Sequence, residues 1–221
     1  MIKNKKTYYL LILDKSGSMG SVISKTIEGF NEQVQMIKSL QQKYPEQEIL
    51  VSLTTFNHNV DHNMFLKRTD QLRELQTHQN NMDGIIYRPN GMTALYDAIG
   101  MSVKNLKKKI KKEIKNNEAT AVVVILTDGY ENASKEYSYD DIRRLIGKLE
   151  KSENWTFSYM GATLDAVEIA TGLNIEKHNA IRFVNENIKE QYDFLNKEMD
   201  FYLAKKRLGF KSKQFFSANN H

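Results

Sequence analysis

The chain has no cysteine among its 221 residues, so neither a disulfide framework nor a thiolate metal site is open to it. Proline is almost as scarce. There are two, Pro45 and Pro89, and both fall in stretches that read as connections. Long apolar runs are missing as well. The first run, Tyr8 to Leu13, follows a basic start at Met1 to Lys6 and stops at Asp14, too short for a signal-peptide core or a membrane span. The expectation is a cytoplasmic protein with no membrane span. The sequence also holds no Gly-x-x-x-x-Gly-Lys-[Ser/Thr] and no Gly-x-Gly-x-x-Gly, which leaves nucleotide binding without support.

What is present reads as an ordinary folded domain. An apolar fraction of 40% against 27% charged is typical of globular proteins rather than disordered ones. The length suits one α/β domain with a real core. Much of the net charge of +5 comes from Lys104 to Lys115. There Val103, Leu106, Ile110 and Ile114 recur at helical spacing with lysines between them. That pattern describes a helix docked by one stripe and solvated elsewhere. No interleaved aromatic or RNA-binding motif accompanies it, so no nucleic-acid partner is expected.

Two kinds of segment alternate along the chain. Thr7 to Leu13, Ala119 to Thr127 and Trp155 to Met160 are short apolar runs rich in β-branched or aromatic residues; Ile49 to Phe56 and Ala180 to Val184 are more mixed. Runs apolar at every position, such as Ala121 to Leu126, suit strands covered on both faces. Between them lie stripes with a period near 3.6 residues. One runs from Ile23 through Ile27, Phe30, Val34 and Ile37 to Leu40. A second begins at Leu95 and Ile99 and continues into the lysine-rich stretch. A third comprises Ile142, Leu145, Ile146 and Leu149, with Ser138 and Asp141 placed to cap it. The last and longest takes in Ile188, Tyr192, Leu195, Met199 and Tyr202, with Asn187 and Glu190 at its start. Strands alternating with amphipathic helices predict an α/β fold: a doubly wound, mainly parallel sheet of about six strands with helices on both faces. The exception is Phe56 to Phe65, where Asn57, His58 and Asn59 suit a hairpin onto an antiparallel edge strand. The expected organisation is a single domain over residues 1–204, with a basic and aromatic tail at 205–221 that either packs on it or stays loose.

In such a sheet, ligands bind outside the carboxyl ends of the strands. The first strand delivers Asp14-Lys15-Ser16-Gly17-Ser18-Met19-Gly20, a carboxylate and two hydroxyls at alternate positions. The loop around Pro89 delivers Gly91-Met92-Thr93 at the head of a helix, and the strand ending at Thr127 delivers Asp128-Gly129. All five donors are hard oxygens, the kind that Mg²⁺, Mn²⁺ or Ca²⁺ prefers. Taken singly, each piece has a plainer explanation. Asp14, Ser16 and Thr93 are good helix caps, and Asp128-Gly129 suits a turn. Asp97 and Glu131 lie near the site and read as surface or supporting residues.

Together these pieces resemble the von Willebrand factor type A domain and its metal-ion-dependent adhesion site. That pattern is Asp-x-Ser-x-Ser on a first loop, Thr on a second and Asp on a third. It is matched here by Asp14, Ser16 and Ser18, then Thr93, then Asp128, within a resemblance covering residues 8–184. The resemblance implies a Rossmann-like fold and one divalent cation, Mg²⁺ first, with Mn²⁺ or Ca²⁺ as alternatives. It further implies a protein partner offering a Glu or Asp to that cation, and no catalytic residue. In some relatives ligation couples to movement of the last helix, here Asn187 to Lys205. Relatives also serve as accessory subunits of chelatase-type ATPases or in stress-response complexes.

Enzyme readings fare worse. A phosphoaspartyl hydrolase built on Asp14 would want a second acid two residues on, where this chain has Ser16. Ser18 lacks the preceding glycine of a nucleophile elbow. His58 and His62, with Asp61 between them, have the spacing of a helical metal pair but fall in a hairpin, where that spacing does not put them on one face.

Overall fold

A computed structural model describes residues 6–78, 83–208, 210 and 213–216. Strands β1 (Lys6–Asp14), β2 (Glu48–Phe56), β3 (Val60–Arg68), β6 (Ala119–Thr127), β7 (Trp155–Gly161) and β8 (Ala180–Arg182) form one sheet in the order β3-β2-β1-β6-β7-β8. Every neighbouring pair is parallel except β2 and β3, which form the expected antiparallel hairpin edge. Helices α1 (Ile23–Lys43), α2 (Leu95–Lys115), α3 (Tyr139–Glu150), α4 (Ala166–Gly172) and α5 (Ile188–Arg207) complete the domain. The α/β class, the mainly parallel sheet and its single antiparallel edge are as the sequence predicts.

The sheet is covered on both faces, and alternation along its strands shows why. Tyr9, Leu11 and Leu13 of β1 join Val122, Val124 and Leu126 of β6 in the core beneath α1 and α5. Tyr8, Leu10 and Ile12 join Ala121, Val123 and Ile125 in the core beneath α2, α3 and α4. Since Cβ atoms alternate across a strand, a strand buried on both sides is apolar on both: all nine residues of β6 are buried, Ala121 to Leu126 are apolar at every position, and the hydroxyls of Thr120 and Thr127 near its ends are hydrogen-bonded. The lysine-rich helix α2 behaves as expected: Val103, Leu106 and Ile110 are buried, and most of its lysines face outward.

Local chemistry sets several boundaries. Ser138 caps α3 in a reciprocal arrangement with Asp141. By contrast, Asn187 makes no side-chain cap bond, because a 3₁₀ turn at Asn185–Asn187 already leads the chain into α5. Three elements were not anticipated: the short helix α4 and a separate pair of two-residue parallel strands, β4 (Leu75–Gln76) and β5 (Ile85–Ile86). The far end of α5 is tied to the sheet. The Lys206 ammonium, buried, donates to the main-chain oxygen of Lys6 and to the hydroxyls of Thr7 and Thr120 at 2.7–3.0 Å. Beyond it, Phe215 and Phe216 enter the core beneath α1 and α5, and their N–H groups donate to the Asn179 carboxamide. His221 and residues 217–220 of the tail, like the first five residues, lie outside the described residues. Among the described residues no helix is long and apolar enough to cross a membrane.

Candidate metal centre

The parallel pairing of β1 with β6 sets Leu13 opposite Leu126, so the two strands leave the sheet side by side and deliver Asp14 and Asp128 to one place. Asp14 is fully buried. Its Oδ1 accepts the Ser16 N–H and its Oδ2 the Thr127 hydroxyl, both at 2.6 Å. The Ser18 hydroxyl donates to Asp128 Oδ1 at 2.6 Å, and the Asn185 carboxamide donates to Oδ2 at 3.0 Å. Ser16 Oγ and Ser18 Oγ lie 3.2 Å apart. A Cβ placed on Gly129 would stand 3.3 Å from Thr93 Oγ1, 3.7 Å from Ser18 Oγ and 4.0 Å from Ser16 Oγ. Hydroxyls from the first and second loops thus surround one point beside the third.

The loops are held in this arrangement by bonds between their main chains. Gly17 N–H donates to Gly91 O, and Asn90 N–H to Lys15 O, each at 3.0 Å. Gly91 sits at φ +71°, in the left-handed region, with the His58 ring packed against it so closely that a Cβ would lie 2.2 Å from Nδ1. Asn132 clamps the second loop from both sides: its side chain accepts the Thr93 N–H, while its own N–H donates to Thr93 O. The Tyr87 hydroxyl donates to the main-chain oxygen of Asp14 at 2.6 Å.

The capping explanations do not describe these residues. Ser16 and Thr93 make no cap bond: the 3₁₀ turn after Ser16 has no side-chain cap, and α2 is headed by Ala94. Of the surface and supporting roles open to Asp97 and Glu131, the structure shows the supporting one. Asp97 is buried and accepts the N–H groups of Lys135, Glu136 and Tyr137. Glu131 accepts those of Tyr96, Ala133 and Ser134. Both carboxylates bind the third loop to the start of α2 and are consumed in doing so. His58 and His62 have separate partners, the first against Gly91 and the second bonded to the Thr54 hydroxyl.

Burial pushes the Asp14 carboxyl up to about 6; the Thr127 and Ser16 donors oppose that rise, and Asp128 adds to it. Asp128 is raised as well, again chiefly by burial, against the bonds from Ser18 and Asn185. Among the described residues no basic side chain pairs with either acid; Lys15, the closest in sequence, is bound to Asp61. Two acids leaving water without a protein cation are an unfavourable arrangement. An outside cation would offset it.

The donor set fits a hard divalent cation. Among the described residues no three or more His, Cys, Asp or Glu side chains gather into a metal-holding group, so hydroxyl oxygens must make up the set. Here they have the right company. A hydroxyl that coordinates a cation must send its proton elsewhere, and that of Ser18 already goes to Asp128. The oxygen of the Asn185 carboxamide is buried beside Asp128 without a partner. Thr127, Asn185 and Tyr87 thus bond directly to the two acids of the candidate site, and the sequence alone did not single them out. The one available signal was a hydroxyl residue, Thr127, ending the strand after six consecutive apolar residues and immediately before Asp128.

The model of the von Willebrand factor type A domain matches residues 10–194. The chain belongs to this family. Domains of the family are generally non-catalytic interaction modules that bind protein ligands. Among solved structures, the chain is similar to proximal thread matrix protein 1 from the mussel byssus, at a TM-score of 0.56 and 15% identity, covering 88% of this chain and 46% of that one. The same mussel protein with a zinc-occupied MIDAS motif aligns at a TM-score of 0.53 and 13% identity, covering 86% and 47%. The PilB minor pilin from Streptococcus sanguinis aligns at 0.56 and 14%, covering 90% and 62%. The chain therefore spans about half the length of the mussel protein, and at these identities the likeness is one of fold. No curated protein matches it.

Proposed function

We propose that this domain is a metal-dependent protein-interaction module. Asp14, Ser16, Ser18, Thr93 and Asp128 hold one divalent cation, with Mg²⁺ the first choice for an all-oxygen set, and the site grips an acidic residue of a partner protein. The observation that carries the reading is the gathering of hydroxyls from two loops beside the buried Asp14 and half-buried Asp128 carboxylates, which among the described residues no protein cation balances. When bound, the cation supplies a coordination position that attracts an outside carboxylate. The protein's part is to orient. Thr127 and the Ser16 N–H fix the Asp14 carboxylate, while Ser18 and Asn185 fix that of Asp128. The zinc-occupied MIDAS motif of the mussel protein supports the reading by likeness of fold.

The non-catalytic character general to the family supports this reading over an enzymatic one. The position two residues after Asp14 is Ser16, whose N–H binds that carboxylate, and no second acid stands there as a proton donor. The test is capture from native lysate by wild type and by Asp14→Ala, each with Mg²⁺ and with chelator. A partner held by wild type in Mg²⁺ alone is expected; one held equally in all four would overturn the reading. Phosphatase turnover abolished by Asp14→Asn would point instead to phosphoryl chemistry.

A further inference from the structure

Of the eight large apolar side chains exposed among the described residues, four stand on the loops around the candidate metal centre: Met92, Tyr130, Leu164 and Val184. Their exposures are 56%, 55%, 79% and 55%, and it is their clustering at one end of the sheet that calls for a reason. Met92 lies between Gly91, whose oxygen accepts the Gly17 N–H, and Thr93, which Asn132 clamps. Tyr130 follows Asp128 closely, and its hydroxyl donates to Asp165 Oδ1 at 2.9 Å, which brings the ring beside the Leu164 segment. Val184 directly precedes Asn185, the donor to Asp128, and its own oxygen accepts the Asn187 N–H. Four loops that carry or adjoin the polar centre thus each contribute one exposed apolar group to a collar.

We infer that this collar selects the partner: the domain takes a carboxylate flanked by apolar side chains, and Met92, Tyr130, Leu164 and Val184 receive the flanks. This rests on the metal reading proposed above and goes further, by naming the sequence character of the ligand. Charge complementarity requires the acid, because the centre presents a cation. The collar then decides what stands next to that acid. A charged or strongly polar flank would be stripped of water against Leu164 and Val184 without gaining a bond. An apolar flank removes two apolar surfaces from water at once. The bonds that hold the loops mean that little ordering cost remains to be met on binding. A polar centre enclosed by apolar groups also reverses the usual layout of an apolar core inside a polar rim, so selectivity here lies at the edge of the contact.

The probes are labelled peptides of the form Gly-Ser-Leu-Glu-Leu-Ser-Gly. In one comparison Ser replaces both Leu, in a second Lys replaces both, and in a third Gln replaces Glu. In Mg²⁺ the Leu-flanked acid is expected to bind about tenfold tighter or more than the Ser-flanked one. Binding should fall away with chelator and with Gln. Leu164→Ser combined with Met92→Ser should flatten the preference while leaving Mn²⁺ binding, read by calorimetry on the same samples, unchanged. Equal binding of Leu-, Ser- and Lys-flanked acids by a protein that binds Mn²⁺ would overturn this inference and leave the metal reading standing. A wild type that binds no Mn²⁺ would overturn both. Leu-flanked Gln peptides binding as well as their Glu counterparts would show the collar to be a separate apolar surface, and that too defeats the inference.

Discussion

Thr127 illustrates how much of this site is carried by residues outside the five-donor pattern. Its buried hydroxyl spends its proton on Asp14 Oδ2, which fixes the carboxylate and leaves Oδ1 to the Ser16 N–H. Thr127→Val keeps the shape and removes the donor. It should weaken Mn²⁺ binding by about 10- to 100-fold, the usual effect of losing a residue that orients a ligand, with little change in melting temperature. Unaltered affinity in a calorimetric titration would show that the hydroxyl orients nothing. Sequence spacing could point to Asp14, Ser16 and Ser18 because alternate residues on one short loop must lie near each other. It could not point to Thr127, Asn185 or Tyr87 in the same way. Their bonds to the two acids span 113, 57 and 73 residues, and only the folded sheet closes such distances. For Asp97 the sequence left surface and supporting roles open, and three main-chain N–H groups of a distant loop decide for the supporting one.

Among the elements, α5 is the one joined to the site at one end and to the base of the sheet at the other. Asn185, just before it, donates to Asp128, while Lys206, in its last turn, is bonded to β1 and β6. A change at Asp128 therefore has a direct mechanical route into the helix. Mg²⁺ together with an acidic peptide should alter the proteolytic protection of residues 187–205. Identical cleavage patterns with and without them would count against that coupling. The end of α3 offers a pH test independent of the metal. Burial lifts the Glu150 carboxyl from its ordinary 4.5 to about 7; the Phe157 N–H it accepts opposes the rise, and Glu176 adds to it. The native state then holds a proton that the unfolded chain has lost. This contribution to stability is present below the unfolded value and disappears as pH climbs towards 7. Wild type should lose stability relative to Glu150→Gln between pH 5 and 7.5, by at most about 1.4 kcal/mol per pH unit. Urea unfolding at the two pH values checks it, and a constant gap between the proteins would contradict it. The main strands and the four long helices were legible because period is legible. β4 and β5, at two residues each, have no period to read, and the seven residues of α4 bury only Ala166 and Ala170.

At the scale of the whole molecule, the strand order does the positioning. Placing β1 and β6 side by side at the centre, with crossovers to both faces, sends three loops out at one edge and leaves the lysines of α2 on a flank. A cation bound only by the folded chain must also stabilise it, by about 2.7 kcal/mol at a hundred times the dissociation constant. Added Mg²⁺ should therefore raise the melting temperature of wild type in a concentration-dependent way. The most direct measurement is calorimetric titration of Mg²⁺ and Mn²⁺ into wild type and Asp14→Asn, with circular dichroism confirming that both are folded. One ion per chain in wild type, lost in the variant, is the predicted result; no saturable binding by wild type, or equal binding by both, would contradict it.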